Sequence, residues 1–139
     1  MSKLIDIYID QNADFLATMP PITDNCGNVV DLTYYTVTSQ MRRSYTTQFA
    51  IQLNVTYPIL NDSGLPDPTQ GIIILSLPAI ETSGLVNTRY VYDIVITDNY
   101  QSRPTMRVFE GLAYVNAGVT TNLDTIMISP YVPEDYGGL

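Results

Sequence analysis

Side chains able to do chemistry are scarce in this 139-residue chain, which has no histidine, one cysteine (Cys26) and three glutamates, Glu81, Glu110 and Glu134. Without imidazole there is no Ser–His or Cys–His nucleophile and no His-ligated metal, and one thiol allows neither a zinc cluster nor an intrachain disulfide. Cys26 stands in the turn Cys26-Gly27-Asn28 with no basic neighbour to lower its pKa, so an inert thiol is expected. Glycoside hydrolysis needs two acids facing one cleft at a set separation, and three glutamates among scattered aspartates select no such pair. Asn61-Asp62-Ser63-Gly64 and Pro66-Asp67-Pro68 offer oxygen ligands for calcium, yet lack the ordered spacing and terminal bidentate Glu of a calcium loop. The expectation is a protein that is not an enzyme, with no cofactor, no metal and no small-molecule substrate.

Charge narrows the partners. Six basic against fourteen acidic residues give a net charge of −8 and a pI near 4.1, the wrong sign for gripping nucleic acid or an anionic membrane surface. Asp6, Asp10 and Asp14 interrupt the N-terminal stretch where a signal peptide needs an apolar run, and no run approaches the ~20 apolar residues of a membrane-spanning helix. Synthesis and folding in a cytoplasm are expected. Arg42 and Arg43, two of the six basic residues, are either a docking point for an acidic neighbour or a strand-end pair balancing nearby Asp. Arg107 and Glu110 lie three apart on a strand, an odd spacing that points them to opposite faces and argues against a mutual ion pair. Tyrosine is over-represented, eleven against three Phe and no Trp, and Tyr favours wet boundaries where its ring is buried and its hydroxyl satisfied. Tyr90 and Tyr92 are read as core, and Tyr45, Tyr131, Tyr136 and the terminal Leu139 as protein–protein contacts.

The elements that must position these groups read as strands, because alternation with period two recurs and no dozen-residue window carries a helical stripe. Ile5, Ile7 and Ile9 alternate with Asp6, Tyr8 and Asp10; Phe15, Ala17 and Met19 follow until Pro20-Pro21. Tyr35, Val37, Ser39 and Met41 form one arm of an expected hairpin, and Phe49, Ile51, Leu53 and Val55 the other. Residues 58–70, with several prolines, read as an irregular loop. The run Gly71-Ile72-Ile73-Ile74-Leu75-Ser76-Leu77 suggests a strand buried on both sides. Pro78-Ala79-Ile80-Glu81-Thr82-Ser83, between a helix-starting Pro and a helix-ending Gly84, is the single short helical turn expected, a bridge between sheets. Tyr90, Tyr92, Ile94 and Ile96 alternate again, then residues 106–115 give a long strand apolar on both parities, for which a bulge near Gly111 would account. A weaker strand is expected at Thr125-Ile126-Met127-Ile128-Ser129. Seven or so strands at this spacing suit an all-β fold, an immunoglobulin-like antiparallel β-sandwich over residues 1–119, with residues 120–139 a C-terminal extension or docking arm. One cysteine and no Trp exclude the disulfide and packed indole of antibody-type domains.

Four segments in order carry a resemblance: Asp31-Leu32-Thr33-Tyr34-Tyr35-Thr36 with Gln40-Met41-Arg42-Arg43-Ser44, the run at 71–77 with its helical turn, Arg89-Tyr90-Val91-Tyr92-Asp93-Ile94-Val95-Ile96-Thr97, and Arg107-Val108-Phe109-Glu110-Gly111. Over about residues 10 to 119 the chain resembles the Ig-like virion domains of tailed bacteriophages, including the N-terminal domains of baseplate upper proteins. Tyr34 stands where that pattern often has Gly. The resemblance implies a fold and a virion setting rather than one particular job. It implies a structural protein, made in the bacterial host cytoplasm, that attaches to a tail, neck or baseplate by sheet edges and extended termini. Its partners would be other virion proteins, in a homo-oligomer or symmetric lattice. Capsid decoration is an alternative in the same setting. A host-surface glycan-binding adhesin module is another, whose sign would be a concave patch of exposed Tyr beside Asp or Asn.

Overall fold

A computed structural model describes residues 2–59 and 64–119. The strand expected at 125–129, Tyr131, Tyr136, Leu139 and the whole of the proposed extension at 120–139 lie outside the described residues, as do residues 61–63 of the calcium candidate. The fold is mostly β with one short helix: β1 (Lys3–Leu4), β2 (Ile7–Asp10), β3 (Phe15–Thr18), β4 (Tyr35–Arg42), β5 (Ile51–Thr56), β6 (Ile74–Leu77), α1 (Ala79–Thr82), β7 (Arg89–Asp98) and β8 (Met106–Asn116).

The strands make one strongly curled half-barrel sheet in the order β1-β8-β7-β4-β5-β6-β3, with β2 following β1 along β8. This corrects the expectation of two separate antiparallel sheets in two respects. The first is continuity: β5 pairs with β4 at Leu53, Gln52 and Ile51, then with β6 at Asn54, Val55 and Thr56, so one strand carries the hydrogen-bonding around the bend. The second is direction, since β1 and β2 run parallel to β8, with Lys3 opposite Phe109 and Ile7 opposite Ala113. No hairpin joins these distant segments, so nothing local forces them antiparallel.

Alternation drives the burial. Ile7, Ile9, Ile94, Ile96, Tyr90 and Tyr92 all turn into one core with Met41, Leu53 and Phe109. Every second residue of a half-buried sheet points inward, which is why the tyrosines expected in the core are there. The run at 71–77 is buried on one face only: Ile73, Leu75 and Leu77 are inside while Ile72, Ile74 and Ser76 are half-exposed. Its outer face carries no covering element among the described residues, so apolar composition overstated its burial. Phe49, expected inward on β5, is 88% exposed because the strand begins two residues later, at Ile51. The helix is pinned by Asp14, whose carboxylate accepts from the Ala79 N–H at 2.8 Å, and by Thr82, whose hydroxyl donates to the Ala13 carbonyl at 2.9 Å.

The bulge expected near Gly111 is present, three residues before it. Ile94 faces Phe109 but Val95 faces Arg107, leaving Val108 as the extra residue. One inserted residue reverses the parity of everything before it. Arg107 and Glu110 therefore share a face and form the ion pair that their spacing argued against, at 3.3 Å, with Arg107 also 3.2 Å from Asp93. Gly111 is required for a different reason: a Cβ there would lie 2.1 Å from the Ile5 carbonyl oxygen, where the chain passes from β1 to β2 alongside β8. Tyr34 needs no glycine's freedom, because it closes a 3-10 turn over Leu32–Tyr34, and Asn12 and Gln101 are the positive-φ non-glycine residues among those described.

Candidate functional site

At one end of the sheet, the loops β3–β4 and β7–β8 enclose a cleft of about 680 Å3. Asx-type capping builds both walls. Asp31 accepts from the Thr33 N–H at 2.9 Å, starting the 3-10 turn that delivers Tyr34, and Asp24 accepts from the N–H groups of Cys26 and Asn28 at 2.9 and 3.0 Å. Across the cleft Asp98 accepts from the Tyr100 N–H at 2.9 Å and the Ser102 hydroxyl at 2.8 Å, folding back the turn after β7. These bonds to the charged form hold the Asp31 and Asp98 carboxyls below the usual carboxylate range. The walls are tied together by the Asn99 N–H on the Tyr34 carbonyl at 3.0 Å and by Arg103, which donates to the Tyr35 hydroxyl at 2.6 Å.

Two tyrosine rings rim the opening, Tyr34 at 56% and Tyr100 at 72% exposed, tilted by 49° with centroids 5.6 Å apart. Phe109 and Ile96 form the floor, and the charged lining balances: Lys3, Arg103 and Arg107 against Asp24, Asp31 and Asp98. In a chain of net charge −8 this is locally neutral ground. It suits a polar but uncharged ligand, with ring faces to stack on and fixed donors and acceptors. Sequence reasoning placed none of Tyr34, Tyr100 and Arg103 in a site, and noted Tyr34 only as standing where the resembled pattern often has Gly. The signals available were the tyrosine surplus and the turn Asp98-Asn99-Tyr100-Gln101-Ser102, whose contact with Tyr34 is 64 or more residues distant in the chain.

The predicted contact residues Arg42, Arg43 and Tyr45 come together at the tip of the β4–β5 hairpin. Both arginines have internal partners: Arg42 donates to the Thr47 carbonyl at 2.7 Å, and the Arg43 guanidinium lies 5.9 Å from the centroid of the Tyr90 ring. The tip offers aromatic rings instead, Tyr45 at 77% and Phe49 at 88% exposed, so Phe49 is the member of this surface that alternation misplaced. Among the described residues no three of His, Cys, Asp and Glu converge as metal ligands, and Cys26 is exposed and free. No family model matches the chain, and no curated protein matches it.

Proposed function

We propose that this chain is a non-enzymatic structural subunit of a tailed bacteriophage particle, held to its neighbours in a tail, neck or baseplate by exposed strand edges, the hairpin tip and the C-terminal residues. The observation that carries the assembly part of the reading is the tip. Two large aromatic rings, Tyr45 and Phe49, are bared beside Arg42, held by the Thr47 carbonyl, and Arg43, set over the Tyr90 ring, a composition found in protein interfaces. Open backbone supplies the rest: β4 pairs with β5 only at Ser39, Gln40 and Met41, leaving its first half unpaired on that side among the described residues. The phage setting rests on the sequence resemblance.

The test is mass spectrometry of purified particles from the producing strain, with the chain carrying Tyr45→Ser and Phe49→Ser as comparison. The parent chain is expected in the particles at fixed stoichiometry and the double variant is expected to be lost from them. A parent chain confined to the soluble cell fraction overturns the proposal. A second reading, glycan binding, is favoured by the cleft, where exposed Tyr34 and Tyr100 stand beside Asp98 and Asn99. Titration with neutral oligosaccharides should then shift the Tyr34 and Tyr100 ring resonances, and no shift at millimolar sugar rejects it.

A further inference from the structure

The two strands that flank the opening of the curled sheet are consecutive in the chain. β2 and β3 are joined by a tight turn at residues 11–14, in which Asn12 takes φ 68°, yet they do not pair with each other. β2 bonds only to β8, and β3 only to β6, among the described residues. The outward backbone groups follow from the ladders. The Gln11 N–H reaches the Asn116 carbonyl at 3.0 Å and the Met19 N–H reaches the Ile73 carbonyl at 2.9 Å, so the odd residues turn inward to their partners. Tyr8 and Asp10 on β2, and Leu16 and Thr18 on β3, direct their N–H and C=O groups into the opening. Between them runs a groove of about 410 Å3 with Ile7, Phe15 and Met19 at its base, all buried, and Leu16 on its rim 71% exposed.

The described chain ends beside the turn that joins β2 to β3, at Gln11. After β8, the Gly118 N–H donates to the Gln11 side-chain carbonyl at 3.0 Å, while the Gln11 amide donates to the Leu85 carbonyl at 2.7 Å. A Cβ on Gly118 would come within 2.6 Å of the Gln11 carbonyl oxygen, so the approach is close enough to require glycine. Val119 follows, fully open at 98% exposure. Twenty residues remain, and among them Thr125-Ile126-Met127-Ile128-Ser129 is a short β-branched, apolar run closed by Pro130. As a strand these five residues span ~17 Å, against ~14 Å for the four of β2 or β3. The five residues between, 120–124, reach up to ~17 Å, ample to turn over residues 11–14.

We propose that residues 125–129 of the same molecule lie in the groove between β2 and β3, antiparallel to β2, with Ile126 and Ile128 over the apolar base and the backbone bonded to the open edges. A tether of five residues gives the segment an effective concentration in the millimolar range, beyond that of a second copy at ordinary protein concentration. This docking does not depend on the assembly reading, and its test is independent of particles.

Amide hydrogen exchange by NMR on the full chain tests it, against a full-length variant with Ile126→Asp and Ile128→Asp. In the parent, Tyr8, Asp10, Leu16 and Thr18 are expected to exchange at least tenfold more slowly than in the variant, at every protein concentration, with Ile94 and Ile96 protected equally in both. Equal exchange at the four edge amides overturns the proposal, and protection that fades on dilution overturns it in favour of a second copy. If the variant loses protection at Ile94, the parent alone decides. Nuclear Overhauser contacts from the backbone of residues 126–128 to β2 or β3 are expected, and their absence overturns the docking.

Discussion

The hydroxyl of Tyr92 donates to the Ile5 carbonyl at 2.5 Å, and the same oxygen leaves no space for a side chain at Gly111. Burial, and after it the charge of Asp6, push the Tyr92 phenol well above its usual value of 10.0. The neutral form is the one the fold favours, so this contribution is fully present below the unfolded value near pH 10 and disappears as pH rises through the folded value. Tyr92→Phe takes its partner from the partly buried Ile5 carbonyl and is expected to cost about 1–3 kcal/mol in urea unfolding at neutral pH, with a flatter alkaline limb than the parent. Asp98 works in the opposite sense. Its carboxyl, held below the usual 3.8 by the Tyr100 N–H and the Ser102 hydroxyl, stabilises the fold above that value and ceases to as pH falls through the lower folded one. Thermal unfolding followed from pH 6 to pH 2 should fall steeply in the parent, and less steeply in Asp98→Ala, which should also lose the Tyr34–Tyr100 ring contact.

Within elements, the last strand shows how one inserted residue redistributes chemistry. Val108 shifts the register, and Arg107 thereby joins Asp93 and Glu110 on the exposed face. The ion pairs look prominent but are half-solvated, and such pairs contribute about 0–1 kcal/mol. Gly111, which bears no side chain at all, matters more, because a methyl group there must move the backbone of the β1–β2 link at Ile5. Gly111→Ala is expected to destabilise by about 1–3 kcal/mol or more and Arg107→Ala by less than about 1 kcal/mol, the order being read from paired denaturant curves. A larger effect at Arg107 would mean that the charged face, not the close packing of the β1–β2 link on Gly111, holds this edge. Separation along the chain explains why hairpin logic served the β4–β5 pair, whose register is local, and failed for β2, whose partner lies about a hundred residues away.

On the scale of the molecule, the net charge of −8 opposes self-association while the aromatic tip favours it. Repulsion between like-charged copies is screened by salt, since the Debye length falls from ~10 Å at 0.1 M to ~3 Å at 1 M, whereas apolar contact is not weakened. Any association of copies through Tyr45 and Phe49 should therefore strengthen as salt is raised. Light scattering at 0.1 and 1 M sodium chloride measures this, and association that weakens with salt would assign the contact to arginine–carboxylate pairs instead. The same curled sheet places the tip and the cleft on separate surfaces, so sugar binding at Tyr34 and Tyr100 should leave the association unchanged.

The β class, the strands of the alternating segments among the described residues, the helical turn after Pro78 and the core tyrosines were legible in the sequence, because period-two burial and Pro-Gly punctuation act over a few residues. So was the scarcity of catalytic groups, which composition alone states. The tertiary structure decided whatever depends on distant neighbours. It set the parallel pairing of β2 with β8, the single curled sheet carried by β5, and the one-sided burial of the run at 71–77. It set the face of Arg107, which depends on a bulge, and the exposure of Phe49, which depends on where β5 starts. The cleft belongs to this second class. Asp31 and Asp98 cap turns that a sequence can announce, but Tyr34 and Tyr100 meet only because β4 and β7 are paired, and that pairing is a property of the whole core.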